Sequence, residues 1–295
     1  MGARWPGIGQ WQKVNMQLRQ IRIYLSIGYQ SLKYMVLHHP PFKKPVARLT
    51  GQSESVPSES PERTHLLFRH YVRQFNDAAC SVATMATILN AALEMRDGAH
   101  PSPLDQPEIL TRVEVADWKA RIMPADGSSK RGMPLNELGK AVSHSLTAYG
   151  FTWTAMDVVA LGENNTDIST QKAQLLDHLI SFEHSRDQFF IAHFNQGIFL
   201  KGLHLPHISP VGAFNRETGE VLVLDVDRHG PGPYWVPFDT FFKGLKSDFN
   251  GGLRRYGYGS GGYIRFKLTM PAGKEKGIER HCDAVRCDGP KGEGR

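Results

Sequence analysis

The stretch Gln74-Phe75-Asn76-Asp77-Ala78-Ala79-Cys80-Ser81-Val82-Ala83-Thr84-Met85-Ala86-Thr87-Ile88-Leu89-Asn90-Ala91-Ala92-Leu93-Glu94-Met95 decides how this chain is read. A polar loop ends at Cys80. Behind it Val82, Met85, Ala86, Leu89, Ala92 and Leu93 recur at helical spacing. The pattern predicts a helix that starts at or near Cys80 and buries one face. A cysteine at a helix N-terminus meets free N–H groups and the positive end of the dipole, which favour the thiolate. The thiolate is the nucleophilic form. The competing reading is a small apolar residue in a core, the common fate of a lone cysteine.

Outward from this stretch, composition narrows the class. The chain has 295 residues, with 40% hydrophobic and 22% charged, enough for one large domain or two small ones. Three cysteines, Cys80, Cys282 and Cys287, are too few for a disulfide scaffold, which predicts a reducing, cytoplasmic setting. The net charge of +6 is unevenly spread. Residues 1–53 hold eight Lys or Arg and no Asp or Glu, so taking their +8 from +6 leaves −2 for the rest. The basic excess belongs to an N-terminal arm, and no nucleic-acid partner is expected of the main domain.

That arm, residues 1–50, has three readings. Leu18, Ile21, Ile23, Leu25, Ile27, Leu32 and Met35 alternate with Arg19, Arg22 and Lys33, which breaks the run below the ~18–20 apolar residues a span needs. It reads as a basic helix on a membrane surface, as an acid-free targeting segment, or as upstream reading frame with Met16 or Met35 the true start. Residues 51–63 read as a Ser/Pro/Glu linker, 64–270 as the folded domain, and 271–295 as a Gly/Lys/Glu tail of disordered composition.

Within the domain, helices are predicted over 80–95, in part over 104–121, over 134–149 with Pro134 in its first turn and Gly150 past its end, and over 169–184. Strands are predicted over 151–158, 188–194, 207–214, 220–226 and 262–268. A short element at Trp235-Val236-Pro237 leads into a helix over 238–245. Helices come first and an antiparallel sheet follows, so the class is α+β.

A nucleophilic cysteine needs a base, and the base needs an orienting partner. His207 opens the apolar strand His207-Ile208-Ser209-Pro210-Val211, and Asp225 closes the next one, Val221-Leu222-Val223-Leu224-Asp225. If the two strands pair across the turn 215–219, His207 and Asp225 meet. A carboxylate after four apolar residues is costly unless hydrogen-bonded. Asp227 is its rival two residues on, pointing the same way from a strand. Gln74, six residues before Cys80, can offer a side-chain N–H to an oxyanion.

These residues resemble a known family. Gln74-x5-Cys80, His207-x-Ser209-Pro210, Leu224-Asp225-Val226-x-Arg228 and Trp235-Val236, in that order, look like phytochelatin synthase. Gly132-Met133-Pro134-Leu135 looks like the family's helix start, and the likeness covers roughly 66–268. It implies a papain-like α+β fold and a glutathione γ-glutamylcysteinyltransferase activity in heavy-metal response. It also implies Cys80 as nucleophile, His207 as base, Asp225 as third member and Gln74 at the oxyanion. With no Cys-rich segment after the domain, the sequence resembles the short bacterial members, which tend toward hydrolysis. No tightly bound cofactor is implied; Cd²⁺ or Zn²⁺ would enter as the metal–glutathione thiolate.

There are departures. Ala79-Cys80-Ser81 stands where the family usually has Tyr-Cys-Gly. Gln196 and Gly261 stand where it often has arginines for substrate carboxylates, with Lys201, Arg254, Arg255 or Arg265 as possible substitutes. Arg228 reads either as a substrate clamp or as an ion pair with Asp225 or Asp227. His281, Cys282 and Cys287 lack zinc-site spacing, so no protein metal site is expected. The expected partners are glutathione and heavy-metal thiolates, with membrane-surface contact of the arm and a homodimer also open. The other functions left open are a thiol hydrolase or peptidase with another amide substrate, and a non-catalytic metal-stress protein.

Overall fold

The computed structural model describes residues 56–98, 102–128, 130–162, 167–200, 204–249, 253 and 257–270. The basic arm, the first part of the linker and the tail with His281, Cys282 and Cys287 lie outside these residues. Lys201, Arg254 and Arg255 lie outside them as well.

Six antiparallel strands form one sheet. They are β1 (Trp153–Ala160), β2 (Gln188–Asn195), β3 (Pro206–Asn215), β4 (Glu220–Val223), β5 (Tyr234–Pro237) and β6 (Gly262–Leu268), in the spatial order β1-β6-β2-β3-β4-β5. The helices are α1 (Pro61–Arg69), α2 (Cys80–Asp97), α3 (Gln106–Arg112), α4 (Trp118–Ile122), α5 (Leu135–Ala148), α6 (Ile168–Glu183), α7 (Gln196–Leu200) and α8 (Phe238–Leu245). This is an α+β arrangement.

The sheet has helices on both faces. Phe189 and Ile191 of β2 and Ile264 and Phe266 of β6 join one core with α1 to α5; Phe190, Ala192 and Phe194 join a second core with α6, α7 and α8. The simple order of helices first and sheet second is therefore corrected, because three helices cover the far face. It follows that β2 is buried at seven of its eight positions instead of alternating.

α2 is the buried centre of the first core. The expectation of one buried face is corrected: every residue from Cys80 to Leu93 is buried. Ala83, Ala86, Ala91 and Ala92 allow close approach, and α1, α3, α5 and β3 pack around the helix. A helix that is apolar or small all round belongs inside.

Caps set several boundaries as the sequence implies. Asp105 caps α3 by accepting from Glu108 N at 2.7 Å, and Asp167 caps α6 by accepting from Ser169 N at 3.0 Å. Gly150, at φ 73°, provides the left-handed residue that ends α5.

The linker boundary moves. Residues 56–63, read as linker, lie on the domain: Val56 is buried and α1 begins at Pro61. The anchor is the buried carboxylate of Glu183. It accepts from Ser58 Oγ and Glu59 N, both at 2.6 Å, from Phe214 N at 2.8 Å, and faces the buried Arg63 guanidinium at 3.4 Å. Arg63 also donates to the Phe182 and Ser185 carbonyls. A buried carboxylate needs such a full set of donors, and the Ser/Pro segment supplies two of them.

Candidate active site

Cys80 is the first residue of α2, buried, and a free thiol. No side chain caps the helix N-terminus, so the first-turn amides face the site without that competitor. The loop before it is held from both sides. Asn76 Oδ1 accepts from Ala78 N at 2.9 Å, and Asn76 Nδ2 donates to Ile122 O at 3.2 Å. Ser81, the departure from glycine beside the nucleophile, is fully buried and accepts from Trp118 Nε1 at 2.9 Å.

His207 comes from β3, opposite Phe194 of β2, whose ring it meets edge-on at 5.5 Å. Its Nε2 donates to Asp225 Oδ1 at 2.8 Å, and Cys80 is close enough to act on its ring electrostatically. With Nε2 taken by the carboxylate, Nδ1 is the nitrogen left for the sulfur. Burial would lower the imidazole pKa, but the Asp225 charge, the hydrogen bond that the ring donates to Asp225 and the interaction with Cys80 hold it well above the usual value.

The Asp225 carboxylate is completely supported. Oδ1 accepts from His207 Nε2 and from Asp227 N at 2.9 Å, and Oδ2 accepts from Tyr234 Oη at 2.7 Å. Burial pushes its pKa up, yet His207, the Asp227 amide and the Tyr234 hydroxyl outweigh this and keep it below the ordinary carboxylate value. The backbone carbonyl of Asp225 accepts from Tyr71 Oη at 2.5 Å.

Two strand-level expectations change here. β4 ends at Val223, so Asp225 does not close a strand. The chain leaves the ladder through Leu224 N to Pro210 O at 2.9 Å and Val226 N to Ser209 Oγ at 3.3 Å. The two-residue period therefore fails, and Asp227 points away from His207. Its carboxylate takes Gln196 Nε2 at 2.8 Å and His229 N at 2.9 Å.

Gln74 lies beside this segment, its N–H on Val226 O at 2.8 Å. The residue is buried, and its Oε1 has no hydrogen-bond partner among the described residues. Arg228 is exposed and donates through Nη1 to Phe75 O at 3.1 Å. It makes neither of the expected ion pairs with Asp225 or Asp227, because Asp225 is closed off by its own donors.

The sequence reading missed several neighbours. Tyr234 directly precedes the Trp235-Val236 motif, which was its only available signal. His193 is fully buried with both ring nitrogens unpartnered, between Phe249 at 5.4 Å and Tyr258 at 5.9 Å; burial and the charge of His207 push its pKa down to about 3. Tyr258 has its pKa raised, first by burial and then by the charge of Cys80. A cavity of about 690 Å³ opens beside Tyr258, lined also by Asn136, Lys246, Asp248 and Ser260. Neither Cys80 nor His207 lines it; Tyr258 is the residue it shares with the nucleophile's surroundings.

Among the described residues, no three His, Cys, Asp or Glu side chains converge as metal ligands, and no helix is long and apolar enough to cross a membrane.

Comparison with known proteins adds to this geometry. A family model described as phytochelatin synthase matches residues 50–258. Glutathione gamma-glutamylcysteinyltransferase 3 of Lotus japonicus is 26% identical over 199 residues, 64% of this chain and 35% of that protein. Glutathione gamma-glutamylcysteinyltransferase 1 of Arabidopsis thaliana is 35% identical over 72 residues, 24% of this chain and 15% of that protein. The chain thus spans about a third of the length of the Lotus relative. Because the family model covers well over half of the 295 residues, the chain belongs to the phytochelatin synthase family.

Proposed function

We propose that this chain is a thiol acyltransferase with a papain-like fold that cleaves the Cys–Gly amide of glutathione through a γ-Glu-Cys acyl-enzyme on Cys80. The observation that carries this reading is the His207–Asp225 hydrogen bond with Cys80 beside the imidazole at the start of a buried helix, in a chain of this family. The Cys80 thiolate attacks the amide carbon. The Gln74 side-chain N–H and the Cys80 backbone N–H receive the oxyanion. His207 delivers the proton from Nδ1 to the leaving glycine amine while Asp225 and Tyr234 hold the imidazolium. The thioester is then opened by the α-amino group of a second glutathione, giving a longer γ-Glu-Cys chain, or by water, giving γ-Glu-Cys. His207 takes the proton in either case. A metal bound to the acceptor's thiolate enters as part of the substrate. Arg228, held on the Phe75 carbonyl next to Gln74, is the candidate contact for a substrate carboxylate at the loop edge.

A second reading has a specific observation in its favour. At the two positions where the family often carries arginines, Gln196 is tied to Asp227 and Gly261 carries no side chain. That favours a thiol hydrolase acting on another amide.

The test is to incubate the purified protein with glutathione, with and without Cd²⁺, and to read glycine release and intact-protein mass. The expected result is a γ-Glu-Cys adduct on Cys80 and its loss in Cys80→Ser. Cys282→Ser and Cys287→Ser should retain activity. Absence of adduct and of glycine release from the intact protein would overturn the glutathione reading and favour the hydrolase.

A further inference from the structure

The positions that would supply cations around Cys80 are closed to them. Gln196 is buried and its Nε2 is committed to Asp227 Oδ2. At Gly261 a Cβ would stand 2.4 Å from the Leu245 carbonyl oxygen and 2.6 Å from that of His193, so no side chain fits without backbone movement. Among the suggested substitutes, Arg265 is paired with Asp157 at 2.6 Å.

One cation stands on the element that is tied to both flanks of Cys80. α4 is fastened on both flanks of Cys80: Trp118 Nε1 donates to Ser81 Oγ at 2.9 Å, and Ile122 O accepts from Asn76 Nδ2 at 3.2 Å. Arg121 lies between these two anchors. Its backbone carbonyl accepts from Arg131 N at 2.7 Å, and its Nε donates to Ala116 O at 3.0 Å, which orients the guanidinium plane. Its Nη1 is buried and has no hydrogen-bond partner among the described residues. The Tyr258 hydroxyl, which a Cβ at Gly132 would meet at 2.3 Å, is within electrostatic reach of both Cys80 and Arg121. A buried guanidinium N–H without an acceptor is costly, and its planar fork matches a carboxylate. The acceptor that this donor lacks is one that a ligand oxygen can provide.

We propose that Arg121, with the Tyr258 hydroxyl beside it, binds a substrate carboxylate next to Cys80 and takes the place of the cations absent at positions 196 and 261. The assignment of that carboxylate to glutathione rests on the function proposed above; the anion site itself does not. The two are separated by alkylating Cys80 with iodoacetate, an anion, and with iodoacetamide, its neutral analogue, following the Cys80 peptide by mass spectrometry. Arg121→Gln is expected to lower the iodoacetate-to-iodoacetamide rate ratio about 3- to 10-fold, as loss of a nearby positive charge at partly solvated distance implies. Arg121→Lys should keep the ratio within about twofold, since it retains the charge. Arg121→Met, which keeps the apolar stem, replaces the glutamine variant if that one does not fold and is held to the same outcome. An unchanged ratio in the neutral variant, or an equal loss in Arg121→Lys, overturns the anion site even if the native enzyme forms its glutathione adduct. A lowered ratio with no adduct in the native enzyme keeps the anion site and removes glutathione. With glutathione as substrate, Arg121→Gln should raise KM about 10- to 100-fold with kcat little changed. If the same penalty persists with the glycyl ethyl ester of glutathione, the carboxylate bound is that of the glutamyl end; if it disappears, it is that of glycine.

Discussion

Two sets of buried polar groups in this fold differ in how completely they are satisfied. On the base side, both oxygens of Asp225 are filled by His207, the Asp227 amide and Tyr234, and its carbonyl is held by Tyr71. Even the neighbouring Asp227 is closed by Gln196 and His229. By contrast, Gln74 Oε1, Arg121 Nη1 and both nitrogens of His193 are buried without partners among the described residues. Buried polar groups are nearly always hydrogen-bonded, so a cluster of exceptions calls for a reason. The filled set fixes the Asp225 carboxylate and the His207 nitrogen that faces it.

The largest effect that tests this contrast is in the filled set. Asp225→Asn keeps the shape, since Asn Oδ1 can still accept from His207 and Nδ2 can face the Tyr234 oxygen, but it removes the charge that sustains the imidazolium. Turnover should fall about 10- to 1,000-fold, less than the ~10⁴ of a serine triad because the thiolate–imidazolium pair leans less on its third member. Asp227→Asn should be much milder, since its carboxylate serves Gln196 and His229. Steady-state kinetics of both variants decide the matter, and a crippled Asp227→Asn beside an active Asp225→Asn would reverse the roles.

A smaller effect concerns His193 in the unfilled set. Its folded pKa of about 3 lies below the unfolded 6.5, so between those values the unfolded chain binds a proton that the folded chain refuses. That contribution is fully retained above pH 6.5 and is lost progressively as pH falls toward 3. His193→Phe, whose ring suits the Phe249 and Tyr258 neighbours, should leave stability at pH 8 little changed. It should recover on the order of a few kcal/mol of the acid loss. Urea midpoints measured at pH 8 and pH 4.5 test it; a variant equally acid-labile would place the proton uptake elsewhere.

The smallest expected effect is Tyr234→Phe. It removes one donor from a carboxylate that keeps two others, at about 1–2 kcal/mol for a hydrogen bond to a charged group. Turnover should drop several-fold, with the KM for substrate unchanged. A loss as deep as that of Asp225→Asn would mean that Asp225 depends on the tyrosine for its position, and the base side would be less over-determined than its hydrogen bonds suggest.

The elements were legible where the signal is local. Helical spacing behind Cys80, Gly150 past a helix and alternation or apolar runs in the strands all act within a few residues, and most predicted elements appear within about two residues of those marks, whereas the helix Pro61–Arg69 was not predicted. The meeting of His207 with Asp225 was also legible, because the strands on either side of the short 215–219 turn pair. The end of β4 was not legible. Nothing in Leu224-Asp225-Val226-Asp227 tells where ladder bonds give way to Ser209 Oγ, and that switch is what separates the roles of the two aspartates.

By itself, then, the sequence determined the α+β class through local periodicity and capping, and the order of its motifs carried the resemblance to the family. The tertiary structure alone decided that Ser58 belongs to the domain, that Tyr234 completes Asp225, and that Ser81 serves to hold Trp118. It also fastened the helix that carries Arg121 to Ser81 and Asn76, while leaving Gln196 and Gly261 closed to charge. The physical reason is that each of these is a question of which donor reaches which acceptor once distant segments are packed, and burial makes the answer costly to leave unmet.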